Sequence, residues 1–308
     1  MTRALSILAA TAAAVTLAGC GLGSHAGTGG VTITITRDFG TQIVKVLHLA
    51  RSSQSLTPLA LLERELPVKA TSDGTITAIG GVVAAPGQAW SEFVNGVGLR
   101  DTTAAQLGPK AKVVHPGDRL WWDLHAGSAS PSPEPAVVGA FPEPFLHGTF
   151  GQRFPTTLEC AADAGGACAR VATALQNAHI PAATQELGTG SGQDTIAVLV
   201  GTWTDLKATI LATLLQAGPK VSGIYARFAG DGGRLELLDA RGQVSGTIGP
   251  DAGLVAAARD SQSAAPTWIV TGTDLAGLQL AANALTAGAL ERRYAVAATP
   301  TGPIPLPK

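Results

Sequence analysis

Apolar and polar residues alternate along short segments in the first third of the chain. Residues 31–36 (VTITIT) and residues 43–49 both show this alternation, and the turn residues between them favour a β-hairpin. A short helix is expected at residues 59–66, with Thr57 as N-cap residue and Pro58 in its first turn. Further strands are predicted at residues 68–70, 75–79, 90–94 and 119–124. This order is typical of a β-grasp-like sheet with one helix packed across it.

Strand and helix patterns alternate after residue 151. Residues 195–200 (TIAVLV) form a continuous apolar run, which is typical of a strand covered on both faces. A helix is predicted at residues 167–178, with Val171 and Leu175 facing inward. The other predicted elements are strands at 156–159, 221–228, 234–238, 267–270 and 294–297, and helices at 204–216, 254–259 and 274–286. The predicted fold class is α+β, with a β-grasp-like domain followed by an α/β domain.

Two strand-to-helix junctions in this second domain resemble each other. In each, a strand with glycine at its end precedes Thr-Asp-Leu, and the threonine is the expected N-cap residue. Two related βαβ units would explain the similarity, and chance is the alternative. Open α/β sheets bind ligands at this edge, so the junctions are candidate sites for a small anion or polar group, with plain capping as the alternative. The candidate residues are Gly201, Thr202, Gly272 and Thr273.

The first twenty residues place Arg3 before an apolar run at residues 4–18, which ends in Leu-Ala-Gly-Cys at Cys20. The run has the length of a signal-peptide core and is short for a membrane span. Its end resembles the lipobox of bacterial lipoproteins, which implies cleavage before Cys20 and attachment of lipid to that cysteine. The expected location is the extracytoplasmic face of the cell membrane. An uncleaved N-terminal helix is the alternative.

The chain has three cysteines, and lipidation of Cys20 accounts for the odd one. Cys160 and Cys168 are then free to form a disulfide across a short loop, with a reactive or metal-binding pair as the alternative. Charged residues make up 14% of the chain and the formal net charge is -1, so no strong field attracts nucleic acid. The expected membrane contact is therefore the lipid on Cys20.

Composition divides the chain into segments. Residues 1–19 are the predicted signal peptide, and the glycine-rich residues 20–30 are a predicted flexible tether. The β-grasp-like domain is placed at residues 31–125 and the α/β domain at residues 151–298. The two are joined by a Pro/Ser-rich connector at residues 126–150, and we expect its aromatic second part to pack on a domain surface. The proline-rich tail at residues 299–308 is expected to be disordered or bound at a sheet edge.

Two motifs of the first domain carry a family resemblance. Residues 90–96 (WSEFVNG) and residues 115–122 (HPGDRLWW) resemble the transcobalamin-like C-terminal domain family, over residues 31–125. The resemblance implies a β-grasp-like fold on a surface lipoprotein, in some cases beside a vitamin transporter. It also implies cobalamin as a candidate transported ligand, although the α-helical barrel that completes the site in transcobalamin has no counterpart in this sequence.

Aromatic residues of the same motifs are the candidate ligand-binding set. Trp121 and Trp122 are adjacent in a predicted strand and so point to opposite faces, where one belongs to the core. The other is expected on the outer face or beneath the connector. A stacking platform for a planar ligand is one interpretation, and internal packing is the other. The candidate residues are Trp90, Phe93, Asn95, Trp121 and Trp122.

Signals for catalysis are weak. The sequence contains no G-x-S-x-G nucleophile elbow, no H-E-x-x-H and no P-loop, and no histidine pair has metal-ligand spacing. We therefore expect no catalytic residues, no resident cofactor and no metal. The predicted function is non-catalytic binding of a small solute, corrinoid-like or otherwise planar, or support of an uptake transporter. The alternative is an envelope adaptor lipoprotein that binds a protein partner through an exposed apolar patch.

Overall fold

The computed structural model describes residues 29–50, 56–72, 75–99, 112–127, 135–260 and 263–308. These residues form a mixed α+β structure with several sheets, so the coarse fold class is as predicted. The predicted signal peptide, Cys20 and most of the predicted tether lie outside the described residues. Within the described ranges, no helix combines the length and apolar character that a membrane crossing requires.

The first half of the chain is built around a five-stranded sheet in the order β2–β1–β8–β6–β7. Strands β1 and β8 pair in parallel, and the other neighbours are antiparallel. A separate small sheet contains β3, β4 and β5. The elements are β1 (Val31–Arg37), β2 (Gln42–Leu49), α1 (Pro58–Glu65), β3 (Val68–Ala70), β4 (Ile76–Ile79), β5 (Val82–Val83), β6 (Gln88–Val94), β7 (Val97–Gly98) and β8 (Arg119–Ala126).

Local chemistry explains several of these elements. The hairpin of β1 and β2 is confirmed. The Thr57 hydroxyl accepts a hydrogen bond from the backbone N–H of Ala60 at 3.2 Å, which confirms the predicted N-cap of α1. Asn95 and Gly96 have φ values of 53° and 80°, the left-handed pair that a two-residue hairpin turn between β6 and β7 requires. Residues of α1, β4 and the inner face of the sheet share one core.

The second half is built around a seven-stranded sheet in the order β10–β9–β11–β16–β15–β17–β18. The first four strands of this order are parallel, and the others pair antiparallel. A small sheet contains β12, β13 and β14. The elements are β9 (Thr156–Cys160), α2 (Gly165–Asn177), β10 (Ala182–Glu186), β11 (Ile196–Thr202), α3 (Trp203–Leu206), α4 (Ile210–Gln216), α5 (Pro219–Ser222), β12 (Ala226–Phe228), β13 (Leu235–Leu238), β14 (Val244–Ile248), β15 (Gly253–Ala258), β16 (Thr267–Gly272), α6 (Leu275–Ala284), α7 (Ala287–Leu290), β17 (Ala295–Thr299) and β18 (Gly302–Leu306).

Strand β11 is covered on both faces, as its continuous apolar run predicts. Val198 and Val200 belong to the core that contains residues of α2 and α6, while Ala197 and Leu199 belong to the core on the opposite face. In α2, Val171 and Leu175 are fully buried, which confirms their predicted inward orientation. The sheet therefore separates two apolar cores.

The prediction of a helix at residues 254–259 is wrong, because this segment forms β15. The strand pairs antiparallel with both β16 and β17, and all its residues are buried. Val255 lies in one core and Leu254 in the other. Alanine favours a helix by intrinsic propensity, but burial of both faces in the middle of a sheet outweighs that preference.

Two further segments differ from prediction, and a third matches one of its two expected outcomes. The helix predicted at 204–216 is split into α3 and α4, with Thr209 capping the second. The strand predicted at 221–228 begins late, because α5 occupies its start and Gly223 follows with a φ of 74°. The tail forms β18 on the edge of the sheet, the second of its two expected outcomes, and prolines are tolerated there since one side of the strand needs no partner. Strands β10, β14 and β18 were not predicted as strands.

Cys160 and Cys168 form a disulfide with a Cα–Cα distance of 5.9 Å, as predicted. It joins the end of β9 to the first turns of α2. The described part of the connector packs as expected, because Val137, Phe141 and Phe145 are buried. This part of the chain contacts both halves and leads to the candidate site.

Candidate functional site

The two faces of β8 place adjacent tryptophans in different surroundings. Trp122 lies in the inner core of the first sheet, and Trp121 lies on the outer face in a cluster with Phe39, Phe93 and Tyr294. The predicted opposite orientation of the two tryptophans is confirmed. Tyr294 belongs to the second half of the chain, so this aromatic cluster joins the two halves.

The rings of the aromatic cluster pack mostly edge to face. The ring centroids of Phe39 and Tyr294 are 5.0 Å apart, and those of Trp121 and Tyr294 are 5.5 Å apart. Phe93 contacts both Trp121 and Tyr294 at 5.2 and 5.4 Å. Such geometry adds to the free energy gained by burying the rings. Tyr294 is therefore a main contact between the second half and the first sheet.

A buried carboxylate lies behind the cluster. Asp123 accepts hydrogen bonds from the Thr36 hydroxyl at 2.5 Å and from the backbone N–H groups of Phe39 and Gly40 at 3.0 and 2.9 Å. The Tyr294 hydroxyl donates to the same carboxylate at 3.3 Å. Burial raises the pKa of Asp123, and burial together with the Asp123 charge raises the pKa of Tyr294. Asp123 thus holds the β1–β2 turn and ties it to Tyr294.

A cavity of about 490 Å³ lies beside the aromatic cluster. Its wall comes from both halves of the chain and from Pro135 of the connector. The first half contributes Ser91, Phe93 and His125, and the second half contributes Lys220, Tyr225, Arg241 and Tyr294. The volume lies within the range of small-molecule sites, which often occur between domains.

Ser91 and His125 form a hydrogen-bonded pair on the cavity wall. The Ser91 Oγ–His125 Nε2 distance is 2.8 Å, and His125 Nδ1 lies 3.0 Å from the carbonyl oxygen of Ala126. Because a carbonyl only accepts, His125 Nδ1 is the donor in its contact with Ala126. The His125 ring also stacks on Phe39, with centroids 4.3 Å apart. In hydrolases a carboxylate supports the histidine of such a pair, whereas here the partner is a backbone carbonyl.

The predicted aromatic platform is packed inside the protein. Phe93 lines the cavity, while Trp90 and Trp122 lie in the inner core of the first sheet. The binding role of the set stays a prediction. The relative exposures of the five residues are 6% for Trp90, 0% for Phe93, 0% for Asn95, 5% for Trp121 and 0% for Trp122.

The Asn95 side chain is held by three hydrogen bonds within the protein. Its amide nitrogen donates to Asp118 and to the carbonyl oxygen of Gly148, both at 2.7 Å, and its amide oxygen accepts from the backbone of Arg119 at 2.8 Å. A Cβ at Gly96 would lie 2.8 Å from the carbonyl oxygen of Val137. The Asn95-Gly96 turn, which is part of the family resemblance, therefore packs directly against the connector.

The second motif also contacts the connector. A Cβ at Gly117 would lie 2.7 Å from Nε2 of His147, and Gly117 has a φ of 93°. His147 Nδ1 lies 2.6 Å from a carboxylate oxygen of the buried Glu143. The hydrogen bond that His147 donates to the Glu143 carboxylate raises the pKa of His147. Both motifs thus form the surface on which residues 135–150 pack.

The predicted polar sites at helix N-termini are occupied by the chain's own side chains. The backbone N–H and the hydroxyl of Thr202 both contact the Asp205 carboxylate, at 2.8 and 2.7 Å. Asp274 is the N-cap of α6 and accepts from the backbone N–H of Gly277 at 2.8 Å. The N-cap residues are thus Thr202 and Asp274, which corrects the prediction that the threonine of each Thr-Asp-Leu, Thr204 and Thr273, has this role. Gly201, Thr202, Gly272 and Thr273 do share one sheet edge, because β11 and β16 are parallel neighbours.

Apart from Phe93, the cavity residues were not predicted from the sequence. Asp123 and His125 alternate with Trp121 on the outer face of β8, a polar pattern that could have indicated a wet or functional face. Lys220, Tyr225 and Arg241 gave no comparable signal, since only the tertiary fold brings them to the first sheet. Among the described residues, no group of three or more His, Cys, Asp or Glu side chains could hold a metal ion.

No protein-family model matches the chain, and no curated protein matches it significantly.

Proposed function

We propose that this chain is a lipid-anchored extracytoplasmic protein that binds a small solute without transforming it. The cavity between the two halves carries the proposal, because its volume of about 490 Å³ and its mixed aromatic and polar wall suit a small organic ligand. The Ser91–His125 pair serves as a polar anchor on this wall. A solute of one or two rings fits such a volume better than a corrinoid does, and cobalamin stays in the ligand screen.

Membrane attachment through Cys20 is part of this proposal. Its support is the Leu-Ala-Gly-Cys sequence after an apolar run and the glycine-rich segment that follows. A Cys20→Ser variant is expected to move from the membrane fraction to the soluble fraction and to lose labelling by radioactive palmitate. Retention in the membrane at the wild-type level would contradict lipid anchoring while leaving solute binding open.

The family resemblance and the internal similarity also belong to the proposal. A sheet order of β2–β1–β8–β6, with β1 parallel to β8 and α1 in the same core, supports a β-grasp-like first domain. The pairing of β11 with β16 supports related βαβ units in the second domain, since both strands lead into capped helices.

A blocked cavity provides the direct test of solute binding. Ala240 lines the cavity, and Ala240→Trp is expected to fill part of it. Thermal-shift screening and equilibrium dialysis with corrinoids and small metabolites should then find ligands for the wild type that the variant no longer binds. Ala70→Trp, at an exposed position of β3, is the matched control and should bind as the wild type does. Equal binding by Ala240→Trp would place the ligand elsewhere.

The Ser91–His125 pair allows a test of the non-catalytic role. Ser91→Ala is expected to weaken solute binding, and the wild type is expected to return every bound solute chemically unchanged after long incubation. Mass spectrometry of the recovered solute measures this. A product that forms with the wild type and is absent with Ser91→Ala would overturn the non-catalytic assignment.

A second candidate function is supported by strand β2. Within the described sheet β2 pairs only with β1, and Ile43 and Val46 are 53% and 38% exposed. An edge strand with exposed apolar residues can accept an extended segment of another protein. An envelope adaptor would use this edge, so crosslinking in native membranes should recover a partner that an Ile43→Lys/Val46→Lys variant loses. Recovery of the chain alone would contradict the adaptor function.

A further inference from the structure

The charged residues on the cavity wall are all cations. Lys220 comes from α5, and Arg241 comes from the turn between β13 and β14. Of the residues that the structure describes, no carboxylate lines the cavity, since Asp123 lies behind Tyr294 and accepts four hydrogen bonds there. Among the described residues, neither Lys220 nor Arg241 takes part in an ion pair. The described part of the cavity wall therefore presents positive charge to a ligand.

The turn that carries Arg241 is fixed by hydrogen bonds. One carboxylate oxygen of Asp239 accepts from the backbone N–H groups of Arg241 and Gln243 at 2.9 and 2.8 Å. The backbone N–H of Gly242 also donates to the carbonyl oxygen of Asp239 at 2.9 Å. The guanidinium is thus attached to an ordered turn beside the cavity, so a ligand need not order the backbone when it binds.

The other feature of the wall is aromatic. Phe93, Tyr225 and Tyr294 line the cavity, and Phe39 packs behind them with its centroid 5.0 Å from that of Tyr225. These rings are held by edge-to-face contacts with one another. A planar apolar body can lie against such a surface, because ring faces and edges pack favourably.

We propose that the cavity selects small organic anions with a planar body, the class represented by aromatic carboxylic acids. The anionic group would lie between Lys220 and Arg241, and the ring would contact Tyr225. This inference rests on the proposed solute binding and names the class of solute. Both cations are exposed at the surface, so their attraction for the ligand should weaken as salt is added.

A matched pair of ligands tests the charge requirement. Calorimetry on the full chain in detergent would compare indole-3-acetate with its uncharged amide, indole-3-acetamide. The acid should bind about tenfold more tightly or better, since a hydrogen bond to a charged group contributes more than a neutral one. The double variant Lys220→Gln/Arg241→Gln should remove this preference by lowering the affinity for the acid much more than the affinity for the amide. Lys207→Gln/Arg234→Gln, which removes two exposed cations outside the cavity wall, should keep the preference.

The outcomes separate the class of solute from binding itself. Equal affinities for indole-3-acetate and indole-3-acetamide would overturn the proposal that the cavity selects anions. If Ala240→Trp binds neither compound, solute binding at the cavity still stands. Failure of benzoate, 1-naphthoate and indole-3-acetate to bind would also overturn it. The proposed function would fail as well only if the wider screen of corrinoids and metabolites found no ligand that Ala240→Trp excludes.

Discussion

The two faces of β8 lie in different surroundings, although alternate residues of the same strand form them. The inner face presents Leu120, Trp122 and Leu124 to a core shared with α1, and these side chains are almost fully buried. The outer face presents Trp121, Asp123 and His125, which pack against the second half of the chain and border a cavity. One sheet thus uses one face for its own core and the other for contact with the second half of the chain, beside the cavity.

Truncation of Trp122 should produce the largest loss on the inner face. Trp122→Ala removes a fully buried aromatic side chain, so the free energy of unfolding should fall by about 3–5 kcal/mol. Denaturant unfolding measures the loss, and binding by the folded fraction should be unchanged. The matched outer-face variant Trp121→Ala should instead weaken binding as well as stability. Loss of binding by folded Trp122→Ala would contradict the division of roles between the faces.

Glu92 makes the stability of the inner face depend on pH. It lies opposite Trp122 in the β6–β8 pairing, and burial raises its pKa to about 8. A raised carboxyl pKa contributes stability below the unfolded-state value, and this stability is lost as the pH rises through the folded-state value. The wild type should therefore lose stability between about pH 5 and 8. Glu92→Gln should show a flatter profile in denaturant unfolding, and parallel profiles would contradict the assignment.

Substitutions of Asp123 test how much the outer face of β8 contributes to stability. Asp123→Ala leaves the Thr36 hydroxyl and two backbone N–H groups without their acceptor, which should lower the free energy of unfolding by roughly 1–3 kcal/mol. The β1–β2 turn should exchange its amide protons faster in hydrogen-exchange measurements. Asp123→Asn keeps the shape and part of the acceptor capacity, so its loss should be smaller. Similar losses for both variants would indicate that the charge, not the hydrogen bonds, stabilises the turn.

Tyr294→Phe should have the smallest effect. It removes one hydroxyl, whose bond to Asp123 is 3.3 Å long, and keeps the ring contacts of the aromatic cluster. The expected loss of unfolding free energy is about 1 kcal/mol or less. The binding affinity for indole-3-acetate should change little, because the proposed anion contacts are Lys220 and Arg241. A large loss of affinity would show that the hydroxyl contacts the ligand.

Local sequence signals predicted much of the first half. The β1–β2 hairpin, the Thr57 cap and the Asn95-Gly96 turn each depend on chemistry within a few residues. The same signals failed at β15, where alanines favour a helix but the centre of a buried sheet favours a strand. At β18 the prolines make the segment unsuitable for a central strand, and the structure places it at the sheet edge, one of the two outcomes expected for the tail.

The candidate site could be predicted only in part. Periodicity alone placed Trp121 and Trp122 on opposite faces, but it could not tell which of them the second half covers. Ser91 meets His125 through the pairing of β6 with β8, and Lys220 and Arg241 reach the same cavity through the docking of two domains. Such long-range juxtapositions are set by tertiary packing, which leaves no periodic pattern in the residues themselves.

The position of Tyr294 in the chain has a consequence for biosynthesis. The first sheet can form once β8 has been synthesised, but the ring that completes its outer face follows only after β16 and α6 of the second half. Until then Phe39, Phe93 and Trp121 form an exposed apolar surface on the nascent chain. Such surfaces favour aggregation. A product truncated before this tyrosine would keep that surface permanently, so chaperones and proteases can distinguish incomplete molecules from finished ones.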